Sequence, residues 1–214
     1  MFDDRFDAGE QLADALQEAG VRPDIVLAIP RGGLPIGRVV ADRFEAPLDV
    51  VVAKKVGAPS NPELAIGAVG SDGARWLNHD LIDRIGVDRR YVKRAVASER
   101  RNAGETETKY RGERPPLDLA GKRVLLVDDG VATGATTRAC LRVIHDRGAA
   151  EIVLGVPVGP ADTLAALRGE ADAVIAVSTP SPFGAVGRFY RSFDQVTDEE
   201  AKSLLRAARR CSTE

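Results

Sequence analysis

The chain has 214 residues, with 30 Lys and Arg against 32 Asp and Glu and a formal net charge of −2. That length supports one complete core, so a single domain spanning 1–214 is the simplest organisation. The balanced charge gives no global basic field for nucleic acid, and no apolar run reaches membrane-spanning length. The acidic start (Asp3, Asp4, Asp7) is wrong for a signal peptide. Cys140 and Cys211 lie far apart without metal-ligand spacing, and His79 and His145 are isolated. No zinc site is expected, and the chain reads as cytoplasmic.

In chain order, Leu12, Ala15, Leu16 and Ala19 predict an amphipathic helix over 8–19, stopped by Gly20. The apolar run Ile25–Ile29 predicts a buried strand. Pro30-Arg31-Gly32-Gly33 then forms a tight turn into a helical pattern over 34–44. Gly32 and Gly33 would let backbone N–H groups face an anion, with Arg31 supplying charge. A third strand, Leu48–Ala53, runs into Lys54 and Lys55. A lysine just past a strand end suits an anion there. The two are adjacent and point to opposite faces, so only one is expected to reach a site. A surface lysine pair is the other reading.

Val69-Gly70-Ser71-Asp72-Gly73 begins with Val69 where a hydrolase nucleophile elbow needs glycine. It fits better as a hairpin turn between 65–69 and 74–77. A helical segment begins near His79. Residues 88–114 carry nine Lys and Arg against five Asp and Glu, and 102–114 has little apolar content. That second half is expected to be mobile, the segment ending at Pro115-Pro116. A solvated charged helix and loop is the alternative.

The run Val124–Val127 reads as a central parallel strand, followed by Asp128 and Asp129. Thr133, Gly134, Ala135, Thr136 and Thr137 lead into a helix over 134–148. Strand 152–157, helix 160–168 and strand 173–177 follow. This alternation predicts an α/β fold, a mostly parallel sheet with helices on both faces. Residues 178–193 hold Phe183, Phe189, Tyr190 and Phe193, four of the ten aromatic residues. Phe189 and Phe193 are expected to anchor a tail helix over 198–210. Phe183 and Tyr190 are candidates either to anchor it or to stack a ligand ring.

The turn after Val127 carries the chemistry. In open α/β sheets, ligands bind beyond the carboxyl ends of strands. A strand-to-helix turn there offers unpaired N–H groups and a positive dipole end, suited to phosphate. Thr hydroxyls add donors, and Gly134 allows close approach. The two carboxylates are acceptors and suit sugar hydroxyls. A phosphosugar is the ligand class this implies, whereas no P-loop or dinucleotide-binding glycine pattern is present.

Apolar strand, two acids, three variable residues and Thr-Gly-x-Thr resemble the phosphoribosyl-diphosphate (PRPP) motif of type I phosphoribosyltransferases. The tail resembles that of small prokaryotic phosphoribosyltransferase-like proteins, a likeness covering nearly the whole chain. The resemblance implies that Asp128 and Asp129 hold the ribose hydroxyls and that Ala132 to Thr137 hold the 5′-phosphate. Pro30 to Gly37 looks most like the pyrophosphate loop of xanthine-guanine members, a loop that often contains a cis peptide. It further implies Mg²⁺, reached by Asp128 and Asp129 indirectly through ribose hydroxyls or water. A flexible lid is expected at about 99–114 and a hood with tail at about 178–214, where Phe183 or Tyr190 would stack the acceptor. Arg31, the Gly32 and Gly33 amides and Lys54 or Lys55 would stabilise the leaving diphosphate.

Ala132 replaces the aspartate that hypoxanthine-guanine members place before Thr-Gly, so a base would come from Glu99 or Glu105, or is not needed. Gly130 replaces a usual apolar residue, making room for an acceptor or loosening the turn. The implied activity is phosphoribosyl transfer from PRPP to a nucleobase or related nitrogen acceptor, releasing pyrophosphate. A non-catalytic PRPP-binding regulator and a sugar-phosphate hydrolase are the alternatives. Partners are then PRPP and an acceptor, with no membrane and no favoured nucleic acid, and a homodimer as a candidate assembly.

Overall fold

The structure, a computed structural model, describes residues 1–112 and 114–207. The main sheet has five parallel strands: β1 (Ile25–Ala28), β2 (Leu48–Val50), β6 (Arg123–Val127), β7 (Glu151–Val158) and β8 (Ala173–Ser178). Their spatial order is β2-β1-β6-β7-β8, which makes β1 and β6 neighbours at the point where chain order reverses. A second sheet of three antiparallel strands, β3 (Ala53–Ala58), β4 (Asn61–Gly70) and β5 (Arg75–Leu77), leaves the main sheet after β2.

Strand alternation divides the core. Val26, Ala28, Leu125 and Val127 pack under α1 (Arg5–Glu18) and α2 (Gly33–Arg43). Ile25, Leu27, Val124 and Leu126 pack under α5 (Ala135–Asp146) and α6 (Ala161–Leu167). Both faces are covered, as the continuous apolar runs require. Burial of these side chains, at about 25 cal/mol per Å² of apolar surface, is the main force holding the layers together. The small sheet has its own core, with Val56, Ile66 and Val69 packed against α3 (His79–Arg84) and α4 (Arg89–Arg111). Among the described residues, no helix is long and apolar enough to cross a membrane.

The expected strand 48–53 is divided. Leu48–Val50 pairs with β1, and at Ala53 the chain joins the antiparallel sheet. Lys54 and Lys55 therefore sit inside β3 rather than beyond a strand end. The expected hairpin forms, with Gly67 to Val69 paired to Leu77 to Arg75.

Glu113 of the expected lid lies outside the described residues, and residues 102–111 are helical, with α4 running unbroken to Arg111. Its low apolar content is misleading because charged groups make its buried contacts. The Arg111 guanidinium bonds both oxygens of Asp49 at 3.2 Å and the Val50 carbonyl at 2.9 Å. It also reaches Glu107 at 3.3 Å, and Glu107 accepts from the Ser71 hydroxyl at 2.8 Å. Asp49, Glu107 and Arg111 are all buried. Such pairing offsets the large desolvation cost of burying charge.

The tail helix α7 (Asp198–Ala207) packs on α2 and α4. The rest of the expected helix 198–210 lies outside the described residues.

Candidate active site

Because β1 and β6 are parallel neighbours, with Ala28 opposite Val127, the turns that follow them lie side by side. Ile29 N–H extends the ladder by bonding the Val127 carbonyl at 3.0 Å. The turn Pro30–Gly33 then presses onto the two acids. A Cβ on Gly32 would fall 2.0 Å from an Asp129 carboxylate oxygen, and one on Gly33 2.9 Å from the Val127 carbonyl. Close approach, rather than unusual backbone geometry, demands glycine here, since Gly32 has φ −60°. The Pro30–Arg31 peptide is cis. The Gly33 amide donates to the Ile29 carbonyl at 3.0 Å, so the Gly32 amide is the better placed of the two for an anion.

Asp128 accepts the Asp129 N–H at 2.9 Å. Burial, and then the negative charge of Asp129, pushes its carboxyl well above the ordinary carboxylate range. Asp129 is also raised by burial, an effect opposed by Arg5 at the start of α1. The Arg5 Nε donates to Asp129 Oδ2 at 2.9 Å, and its Nη1 donates to the Asp194 carbonyl at 2.7 Å. The guanidinium lies over the Phe193 ring, 3.8 Å from its centre.

The phosphate-type turn follows. Gly134 adopts φ +74°, a left-handed conformation that favours glycine, and starts α5 with no capping side chain. The first-turn amides of Ala135, Thr136 and Thr137 therefore have no side-chain cap. Ala132 and Thr133 are exposed, Thr136 is half-buried and Thr137 is buried. The loop is fixed from outside the motif: Val131 N–H bonds the Val158 carbonyl at 2.9 Å, and the Thr163 hydroxyl donates to the Ala132 carbonyl at 3.1 Å. At Gly130, a Cβ would meet Val186 at 2.6 Å. The space that glycine leaves is filled by Val186, not held open for an acceptor.

Arg31 Nη1 reaches Asp198 Oδ1 at 3.4 Å, and the Tyr110 hydroxyl donates to the same oxygen at 2.8 Å. Lys109 pairs with the other oxygen of Asp198. These donors hold the Asp198 carboxyl down at about 2, with Lys109 the largest cause and Tyr110 the next. Burial and Asp198 together push the Tyr110 phenol up to about 12. Lys54 lines a cavity of about 390 Å³ with Glu99, Asn102, Glu105, Thr106 and Lys109. Lys55 pairs instead with Glu63 at 3.0 Å. Lys54 is thus the one of the two that faces α4, where Lys109 meets Arg31's partner Asp198.

Tyr190 is buried between Phe2 and Phe193, at 5.2 and 4.9 Å between ring centres. Of its two expected roles, this packing fits the anchoring one. Its hydroxyl donates to the Asp129 carbonyl at 2.6 Å, fixing the backbone of the second acid. Phe183 is half-buried and stacks on Phe189 at 5.2 Å. Arg5, Tyr110 and Asp198 carry no motif in the sequence that ties them to the site. Asp198-Glu199-Glu200 did carry a signal, an acidic first helical turn, but one that speaks only of a helix start.

The arrangement can hold a sugar by its hydroxyls on two carboxylates, a phosphate at the start of α5, and a second anion beside Arg31. Similarity to known proteins gives the family. The sequence pattern of the phosphoribosyl transferase domain matches residues 4–186. A Mycobacterium tuberculosis protein named "Putative phosphoribosyl transferase" is 42% identical over 98% of this chain and 47% of its own length. The chain thus spans about half the length of the curated relatives it matches first. The amidophosphoribosyltransferase of Methanothermobacter thermautotrophicus is 32% identical over 65% of this chain and 28% of its own. The crystal structure of TT1426 from Thermus thermophilus superposes with TM-score 0.83 at 41% identity, covering 96% of this chain and 97% of that one. With a domain pattern that covers most of its length, this chain belongs to the phosphoribosyl transferase family.

Proposed function

We propose that this chain transfers phosphoribosyl from PRPP to a nucleobase or related nitrogen acceptor, releasing pyrophosphate. The supporting observation is the juxtaposition of Asp128 and Asp129 with the uncapped start of α5 and the Arg31 turn. In this reading the 5′-phosphate takes the segment Ala132 to Thr137, through its amides and Thr hydroxyls, with Gly134 admitting it closely. Asp128 and Asp129 accept from the ribose hydroxyls and orient C1. The bond from C1 to the diphosphate oxygen breaks with its electron pair leaving on the diphosphate. The acceptor nitrogen bonds C1 and loses a proton. Arg31, the Gly32 amide and Lys54 stabilise the departing charge.

Ala132 offers no carboxylate to the acceptor, so Glu99 or Glu105 of α4, both lining the Lys54 cavity, is the candidate base. Closure of the 99–114 segment over the reacting centre remains part of this reading, with α4 moving as a packed helix rather than a loose loop. Phe183, half-buried at the hood, is the remaining candidate for acceptor stacking.

Two adjacent carboxylates fit Mg²⁺, which is usually bound through one or two carboxylates, waters and substrate phosphates rather than an all-protein cage. Mg²⁺ bound there would neutralise diphosphate charge. The second reading, a PRPP-binding regulator without turnover, draws support from the ion pairs that engage Asp129 and Arg31. Calorimetric PRPP binding with Mg²⁺, paired with pyrophosphate release in pooled nucleobases, separates the two. Acceptor-dependent release supports transfer, and binding without release supports the regulator.

A further inference from the structure

Away from the PRPP-type site, α3, α4 and the edge strand β5 enclose a cavity of about 650 Å³. Leu77, Ile82, Val92 and Val96 give it an apolar floor. Its rim carries four cations: Arg75 from β5, and Arg89, Lys93 and Arg100 from α4. Among the described residues, Asp83 is the one carboxylate that lines it, in a chain whose net charge is −2.

The cations on α4 are not an ordinary solvated stripe. Spacings of four and seven residues place Arg89, Lys93 and Arg100 on one helix face. A stable exposed helix commonly pairs such cations with acids three or four residues away. Here no Asp or Glu stands at either distance from any of the three. Among the described residues none of the four cations forms an ion pair, although Arg100 Nε donates to the Ser71 carbonyl at 3.0 Å. The stripe rises about 16 Å from Arg89 to Arg100. That reach exceeds one phosphoryl group and suits an extended polyanion. Guanidinium groups bind phosphoryl oxygens in pairs of parallel hydrogen bonds. The concave floor below can bury a ring system, as small-ligand sites do. A single-stranded nucleic acid surface would instead present a series of aromatic rings for stacking; among the described residues the lining holds no Phe, Tyr or Trp, and His79 alone brings a ring to it.

We infer that this cavity is a second ligand site, for an amphipathic polyanion of the nucleoside triphosphate class. The base lies on the apolar floor and the phosphates follow the cations of α4. The inference does not depend on PRPP chemistry.

The test is calorimetric titration of the full chain with ATP and with GTP, with inorganic triphosphate and a short single-stranded RNA as separate probes. The expected result is that at least one nucleotide binds more tightly than inorganic triphosphate. The R89E/K93E variant, altered at two exposed positions, should keep its fold by circular dichroism and bind at least tenfold more weakly. Excess PRPP should leave the nucleotide affinity unchanged. The inference is overturned by no nucleotide binding, equal binding in R89E/K93E, displacement by PRPP, parity with inorganic triphosphate, or preference for the RNA.

Discussion

Arg5 and Asp129, 124 positions apart in the chain, are joined by a 2.9 Å charge-assisted hydrogen bond that is largely shielded from water. Arg5 opens α1 and Asp129 closes the β6 turn, so the pair ties the N-terminal helix to the candidate ribose site. Removing the guanidinium leaves a desolvated carboxylate with its main favourable partner gone. Arg5→Met should cost about 2 kcal/mol of stability, measured by denaturant unfolding. It should also weaken PRPP binding severalfold, because Asp129 becomes easier to protonate and less firmly held.

Asp128 gives a prediction of opposite sign for stability. Its native carboxyl is raised by burial and by Asp129, so between about pH 4 and its native value the folded chain binds the extra proton. Stability therefore falls as pH rises through that window and is flat above it. Asp128→Asn should remove this penalty and raise the melting temperature, more at pH 7 than at pH 5. The same substitution should weaken PRPP binding at least tenfold. A gain in stability with a loss of binding identifies a group kept for its ligand.

Much of this arrangement is legible in the sequence, for reasons specific to each segment. Val124–Val127 and Ile25–Ala28 are buried on both faces, so their apolar runs are unbroken and their ends fall at the acids and the glycine turn. The 65–77 hairpin is legible through its turn residues. What escapes notice is polar and distant in sequence. Asp49 lies inside an apolar strand because Arg111, 62 positions away, compensates it. The same contact hides α4, whose buried face includes Glu107 and Arg111 and so lacks apolar periodicity at its end. Tyr190 gives no sign in the sequence that its hydroxyl bonds the Asp129 carbonyl.

The buried Asp49, Glu107 and Arg111 group sets how firmly the end of α4 is held. Arg111→Met leaves two acids facing a low-dielectric interior. It should cost about 3–5 kcal/mol, read by denaturant unfolding, with faster hydrogen exchange along 103–111. Glu107→Gln, which removes charge but retains an acceptor, should cost far less.

Asp198 engages Arg31, Lys109 and Tyr110 together. Its carboxyl is held down at about 2, so it remains ionised throughout the neutral range and competes with any anion for those donors. Asp198→Asn should increase affinity for inorganic pyrophosphate severalfold in calorimetry. The gain should shrink in high salt, because the groups are partly exposed and screened.

The most direct test of phosphoribosyl transfer is pyrophosphate release from PRPP with Mg²⁺, without acceptor and with pooled nucleobases, in the natural chain and in the D128N/D129N variant. The expected result is release that depends on one acceptor pool, and a variant that neither releases pyrophosphate nor binds PRPP appreciably. PRPP binding of equal strength in the natural chain and the variant, or release unaffected by loss of both carboxylates, would contradict the assignment of the ribose to Asp128 and Asp129.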